Sequence, residues 1–114
     1  MNIDDMTYGE LKRIASLFSG GQKQDIEAFE IGKCYVIRTV TMYVTGKVVA
    51  VGGHEILLEN AAWIADAGRY ADFLKDPVSV AKEVEPYPDG CRAGVGRGSI
   101  CDFCEIKETP RSQK

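Results

Sequence analysis

The hydrophobic positions change their period along the chain, and each period predicts a different element. Leu11, Ile14, Ala15 and Phe18 recur at i, i+3, i+4 and i+7, the stripe of an amphipathic helix. Thr7 and Glu10 fit a capping box at its start, and Met6 and Leu11 occupy the staple positions around it. Ser19-Gly20-Gly21 ends the pattern, so residues 1–19 are expected as an N-terminal amphipathic helix and residues 20–32 as a linker.

From Tyr35 to Val51 the chain is rich in Val, Ile, Thr and Tyr, residues that suit a pleated surface. As one straight strand this stretch would span about 56 Å at about 3.3 Å per residue, too long for a small domain, so a bend or turn is expected at Gly46. Alternation places Tyr35, Ile37, Thr39, Thr41 and Tyr43 on one face and Val36, Arg38, Val40, Met42 and Val44 on the other. Both faces are partly apolar, as a curled or closed sheet requires. Gly52-Gly53 predicts a two-residue type I′ hairpin, with Ile56 to Leu58 pairing back.

Asn60 is expected to cap a helix over Ala61 to Lys75, in which Trp63, Ala67, Tyr70 and Leu74 recur at helical spacing. Asp66, Arg69, Asp72 and Asp76 then fall on its polar side, where Arg69 can pair with neighbours at i±3. Gly68 inside this stretch signals a close backbone approach or a break. Pro77 and Pro86-Tyr87-Pro88-Asp89-Gly90 mark loops, and Cys91–Val95 and Ser99–Ile106 read as two short strands around glycines. The expected whole is an α+β core over residues 33–106: a small curled antiparallel sheet or barrel with one inserted helix, one appended N-terminal helix and a flexible tail over 107–114.

Composition narrows the function classes. With 45% hydrophobic and 27% charged residues in 114, the chain is an ordinary globular domain. A net charge of −3 disfavours broad adhesion to a nucleic-acid backbone. No apolar run reaches the roughly 18–20 residues of a membrane-spanning helix, and Met1 is followed by Asp4 and Asp5 rather than a basic segment. No membrane contact and a cytoplasmic location are expected, the latter in a host cell if the protein is phage-encoded, with Cys34, Cys91, Cys101 and Cys104 as reduced thiols.

Each candidate for chemistry has a plain structural counterpart. Cys101 and Cys104 have the spacing of half a zinc knuckle that Cys34 and Cys91 could complete, but on a strand residues 101 and 104 point to opposite faces, so free thiols and no cofactor are expected. Gly94-x-Gly96-x-Gly98 lacks both the Rossmann spacing and the Walker lysine; it lets a backbone approach a ligand closely, with Arg97 positioned to reach an anion or else to lie in solvent. His54 is the only histidine and sits at a turn, so every histidine-based nucleophilic arrangement depends on one loop residue, and an enzyme is not expected. Trp63, Tyr70 and Phe73 are either core or a stacking surface. A cavity lined by Thr41, Tyr43, Trp63, Arg69, Tyr70, Arg97 and Ser99 would suit a small anionic nucleotide better than a long polymer.

The segments from Ile37-Arg38-Thr39-Val40-Thr41-Met42-Tyr43 to Val48, Leu58-Glu59-Asn60-Ala61-Ala62-Trp63 to Tyr70, Val84-Glu85-Pro86-Tyr87-Pro88-Asp89-Gly90 and Gly94-Val95-Gly96-Arg97-Gly98-Ser99-Ile100 resemble a family of small uncharacterised phage and mobile-element proteins, over residues 33–106. The layout of an arginine-threonine strand, a glycine, a second strand and an asparagine-led helix is more distantly similar to phage sponge proteins of the anti-Thoeris and anti-CBASS type. That resemblance implies a homo-oligomer that sequesters a cyclic-nucleotide signal without cutting it, a non-enzymatic anti-defence role in immune evasion, with the pocket between subunits. The four cysteines and the N-terminal helix are additions to that layout. The competing expectation is a structural or adaptor protein of a phage or mobile element, acting through protein contacts by way of the helix Thr7–Phe18.

Overall fold

The β-branched stretch forms sheet, but it reverses earlier than expected. A computed structural model describes residues 27–114, so the helix expected over residues 1–19 and the linker as far as residue 26 lie outside the described residues. Strand β1 (Cys34–Thr39) turns at residues 40–42 into β2 (Tyr43–Val51), which returns through residues 52–54 as β3 (Glu55–Asp66). Two short helices follow, α1 (Tyr70–Lys75) and α2 (Pro77–Val80), then β4 (Glu83–Pro86), β5 (Ala93–Gly96), a 3-10 turn at Arg97–Ser99 and β6 (Ile100–Ile106).

Every pairing is antiparallel. The order β4-β3-β2-β1-β6 makes one sheet, and β5 shares with β4 the far side of β3, alongside Glu55–Leu58, while β4 lies alongside Ala62–Asp66. The sheet is curled but not a closed barrel. Gly96 lies opposite Glu55 and Ile100 opposite Thr39, so the four steps from 96 to 100, at most about 14 Å, must join two ends of the sheet. A straight β2 would by itself hold those ends about 26 Å apart. The strands therefore coil, and the ladder shows where: Val49 is an extra residue on β2, and Asn60 an extra residue on β3 in the left-handed region at φ 52°.

Gly46 thus does not reverse the chain. It stays within β2, where the side chain of Leu58 lies so close that a Cβ at 46 would meet its Cβ at 2.7 Å. The reversal at 40–42 is fixed by Thr39, whose Oγ1 donates to the Met42 carbonyl at 3.0 Å and accepts from the Met42 amide at 3.1 Å. Because the chain turns there, the expected alternation holds in β1 and inverts in β2. Gly52-Gly53 does lie in a hairpin, closed by the Gly52 amide donating to the Glu55 carbonyl at 2.8 Å, but neither glycine takes a positive φ, so the turn is not type I′.

The largest correction concerns residues 61–69. Asn60 is a bulge residue instead of a helix cap, and Ala61 to Asp66 continue β3 between β2 and β4. Helix begins only at Tyr70, with Arg69 at its N-cap, after Gly68 breaks the chain at φ 76°. Asp76 caps α2 by accepting from the Ser79 amide, with Pro77 in its first turn.

The coiled sheet has a core on each face. The inner one gathers Phe29, Tyr35, Ile37, Val44, Val48, Ile56, Leu58, Ala93 and Val95. The outer one places Val36, Ala62, Ile64, Val84 and Ile106 beneath Phe73, Ala67 and Ala81 from the helical segment. Residues 27–32 and 107–114, expected as linker and tail, are packed. Phe29 is buried against Tyr35 and Phe103, and the Glu30 amide donates to the Tyr35 hydroxyl at 2.9 Å. At the other end Lys114 exchanges both backbone hydrogen bonds with Val84, and its ammonium donates to the carbonyls of Val78, Ser79 and Ala81. Arg111 holds the β4–β5 loop against β3 by donating to the carbonyls of Ala61 and Tyr87. Among the described residues no helix is long and apolar enough to cross a membrane.

Candidate functional site

The turn at 40–42 and the end of β3 enclose a cavity of about 420 Å³, within the roughly 300–1,000 Å³ typical of small-molecule sites. Thr41, Met42 and Tyr43 form one wall. The stretch 63–68 and Tyr70 form the other, so every group named comes from a single chain. Each wall follows from a local feature of the sequence: the Thr39 hydroxyl shapes the turn, and Gly68, with Asp66 accepting its amide at Oδ1 over 2.9 Å, directs the chain from β3 into α1.

Tyr43 and Tyr70 meet with ring centroids 5.6 Å apart and tilted by 51°, and Tyr70 stacks on the buried ring of Phe73 at 6.1 Å. Their spacing fits favourable aromatic packing and leaves each phenol with one polar end. Burial raises the Tyr70 phenol above its ordinary value, helped by the nearby negative charge of Asp102. Trp63 is 43% exposed and Met42 38%, both in the lining, and Val40, on the turn near Met42, is 72% exposed.

Four of the seven residues expected in a ligand site, Thr41, Tyr43, Trp63 and Tyr70, line this cavity together. The other three do not. Arg69 is exposed at the N-cap of α1, between the lining residues Gly68 and Tyr70. Arg97 is engaged elsewhere, its Nε donating to the Gly52 carbonyl at 2.9 Å and its Nη2 to Glu27 at 2.7 Å. Glu27 is held below the usual carboxylate range by the Phe29 amide and by Arg97. Ser99 donates to the Gly96 carbonyl at 2.8 Å and lines a second, smaller cavity of about 190 Å³, which shares Thr41 and Met42 with the first.

The sequence pattern did not single out Asp66, which lies in the cavity lining, or Arg38, which lies next to that lining in the register. Asp66 is in the wall and exposed to solvent, as its expected place on a polar side had it, but from the end of a strand rather than from a helix. Arg38 stands opposite Tyr43 in the β1–β2 register and pairs with Asp102 in a two-point contact, Nε donating to Oδ1 at 3.0 Å and Nη2 to Oδ2. That contact holds Asp102 below its ordinary value and raises Arg38. The strand signal at Arg38 carried no hint of this, because its partner is 64 residues away.

The thiols are dispersed. Cys91 and Cys101 are exposed, the latter at the bulge where β6 slips against β1. Cys34 and Cys104 are half-buried toward the helical face, and burial raises the Cys34 thiol. Among the described residues no three Cys, His, Asp or Glu side chains are grouped as metal ligands. His54 is exposed in the β2–β3 hairpin, where its carbonyl accepts the Arg97 amide at 2.9 Å. Comparison with protein-family models, with curated proteins and with solved structures finds no match to this chain.

Proposed function

We propose that this protein holds a small nucleotide-derived ligand by non-covalent contacts alone, in the manner of a phage sponge that removes a signal from solution. The observation that carries this reading is a cleft of ligand size whose lining includes Thr41, Tyr43, Trp63 and Tyr70, with the Tyr43 and Tyr70 rings in contact on the helix-covered face. Aromatic walls give a planar base a stacking surface worth about 1–3 kcal/mol per base, and hydroxyls at the rim fix its orientation. Among the described residues no lining residue is basic. The ring, not the phosphate, therefore supplies most of the affinity, and phosphate groups face outward, on the side of exposed Arg69 between the lining residues Gly68 and Tyr70. Arg97 has no part in this arrangement, because its guanidinium is bonded to Gly52 and Glu27.

Isothermal titration of the full chain with cyclic di- and trinucleotides and with the four common mononucleotides tests the reading. Saturable heat that Tyr43→Ala and Tyr70→Ala abolish while the chain stays folded is the expected result. A panel without heat, or turnover of any of these compounds by the purified protein, refutes it.

A further inference from the structure

If the cavity takes a base, its wall carries information about which one. Among the described residues Asp66 is the carboxylate in the lining, alongside the phenols of Tyr43 and Tyr70 and the hydroxyl of Thr41. Hydroxyls rotate to donate or accept, so they recognise any ring edge; an ionised carboxylate only accepts. One oxygen of Asp66 is partly used, since Oδ1 takes the Gly68 amide at 2.9 Å, and this bond orients the carboxylate from a turn that the positive φ of Gly68 fixes. Oδ2 and the remaining lone pair of Oδ1 are left for a ligand.

We propose that Asp66 makes the cavity selective for a ring edge with two adjacent N–H donors, the edge that guanine presents at N1 and its 2-amino group. A two-point bond from such an edge to a carboxylate is charge-assisted and geometrically specific. Adenine offers an acceptor nitrogen beside its amino group, and that lone pair would face the carboxylate. The cost of that mismatch, together with the lost bond, sets the preference. This inference rests on the nucleotide reading above and adds to it the class of base.

Trp63 is the only tryptophan in the chain and lies in the cavity wall, so its fluorescence reports occupancy directly. Guanosine, inosine and adenosine 5′-monophosphates would each be titrated against the full chain and against Asp66→Asn, whose amide oxygen can still accept from Gly68. Guanosine monophosphate binding tighter than adenosine monophosphate by about tenfold or more is expected, with inosine monophosphate, which lacks the 2-amino group, between them. Asp66→Asn removes the preference from both sides, weakening guanosine monophosphate and, with the repulsion of the adenine lone pair gone, strengthening adenosine monophosphate. Equal affinities in the parent chain, or a preference that survives Asp66→Asn, overturns the role of Asp66 and leaves the nucleotide reading standing. No response to any of the three overturns both. The parent chain's own ranking needs no variant, so the inference remains testable if Asp66→Asn does not fold.

Discussion

Replacing Thr45 with valine should stabilise this protein, and the reason is visible in β2. Thr45 is fully buried on the helix-covered face, opposite Val36 on β1 and Ala62 on β3, which are themselves fully buried. Among the described residues its Oγ1 has no hydrogen-bond partner. A buried hydroxyl without a partner costs about 1–3 kcal/mol of desolvation, and valine fills nearly the same volume with a methyl in its place. Both residues are β-branched and suit a strand, so propensity cancels. Taking the low end of that range, Thr45→Val should add about 1 kcal/mol, a rise in Tm of about 4–8 °C for a domain of this size. Thermal denaturation followed by circular dichroism reads the shift, and urea unfolding with an unchanged slope confirms that stability alone has moved. Thr45→Ser is the control: it keeps the hydroxyl and loses a buried methyl, so it should lower stability by about 1 kcal/mol. A neutral or destabilising Thr45→Val would mean that the hydroxyl is satisfied, and would refute the argument.

Other expectations follow from the same contacts. Arg97→Ala should lower Tm, since it frees Glu27 and the Gly52 carbonyl, yet leave nucleotide affinity within twofold in the titration; a large loss of affinity in a folded variant would put Arg97 back in the site. Lys114→Met removes the ammonium from three carbonyls at the end of α2 and should cost about 1–2 kcal/mol in urea unfolding, whereas an unchanged midpoint would mean that water replaces it without loss. Asp102 is held below its ordinary value by Arg38, so its contribution is present above about pH 4, the unfolded value, and is lost as pH falls through the folded one. Asp102→Asn should therefore flatten part of the decline in Tm below about pH 4, and an identical acid profile in the variant would show that the pair is screened out.

Much of the sheet was legible because strand signals are local. The β-branched run, the Gly-Gly hairpin and the two short strands after Gly90 all appear close to where the pattern put them. Residues 61–69 were not legible, and the reason is physical. Burial does alternate there, with Ala62 and Ile64 buried and Trp63 and Ala65 exposed, but apolar residues occupy the exposed positions too, so the polarity pattern of a strand is lost and Trp63, Ala67 and Tyr70 imitate a helical stripe. Pairing with β2 on one side and β4 on the other overrides the helix propensity of the alanines. Asn60 has the side chain of a helix cap but also tolerates the left-handed region that a bulge needs, so one residue supports two incompatible structures. The site was read in part for the same reason: its aromatics were visible, while Asp66, exposed as expected, takes its place in the lining only because residues 61–66 are strand. Arg97 looked available because its partners, at positions 27 and 52, are far from it in sequence.

The state of Trp63 separates a site from a core. On a helical stripe it would have been a packing residue, and truncating a buried aromatic costs about 3–5 kcal/mol. In the strand it is 43% exposed, and Met42 and Val40 are exposed as well, so the fold leaves apolar surface that it does not need for its own stability. The two roles predict different consequences for one substitution. If Trp63 serves a ligand, Trp63→Ala should lower the urea-derived stability by less than about 2 kcal/mol, under half the cost of a core tryptophan, while removing the calorimetric signal for nucleotides. A loss of about 3 kcal/mol or more would assign the ring to packing and leave the cavity as a gap in the fold. Retention of full binding heat by the variant would move the stacking surface to Tyr43 and Tyr70, whose rings already face each other across 5.6 Å.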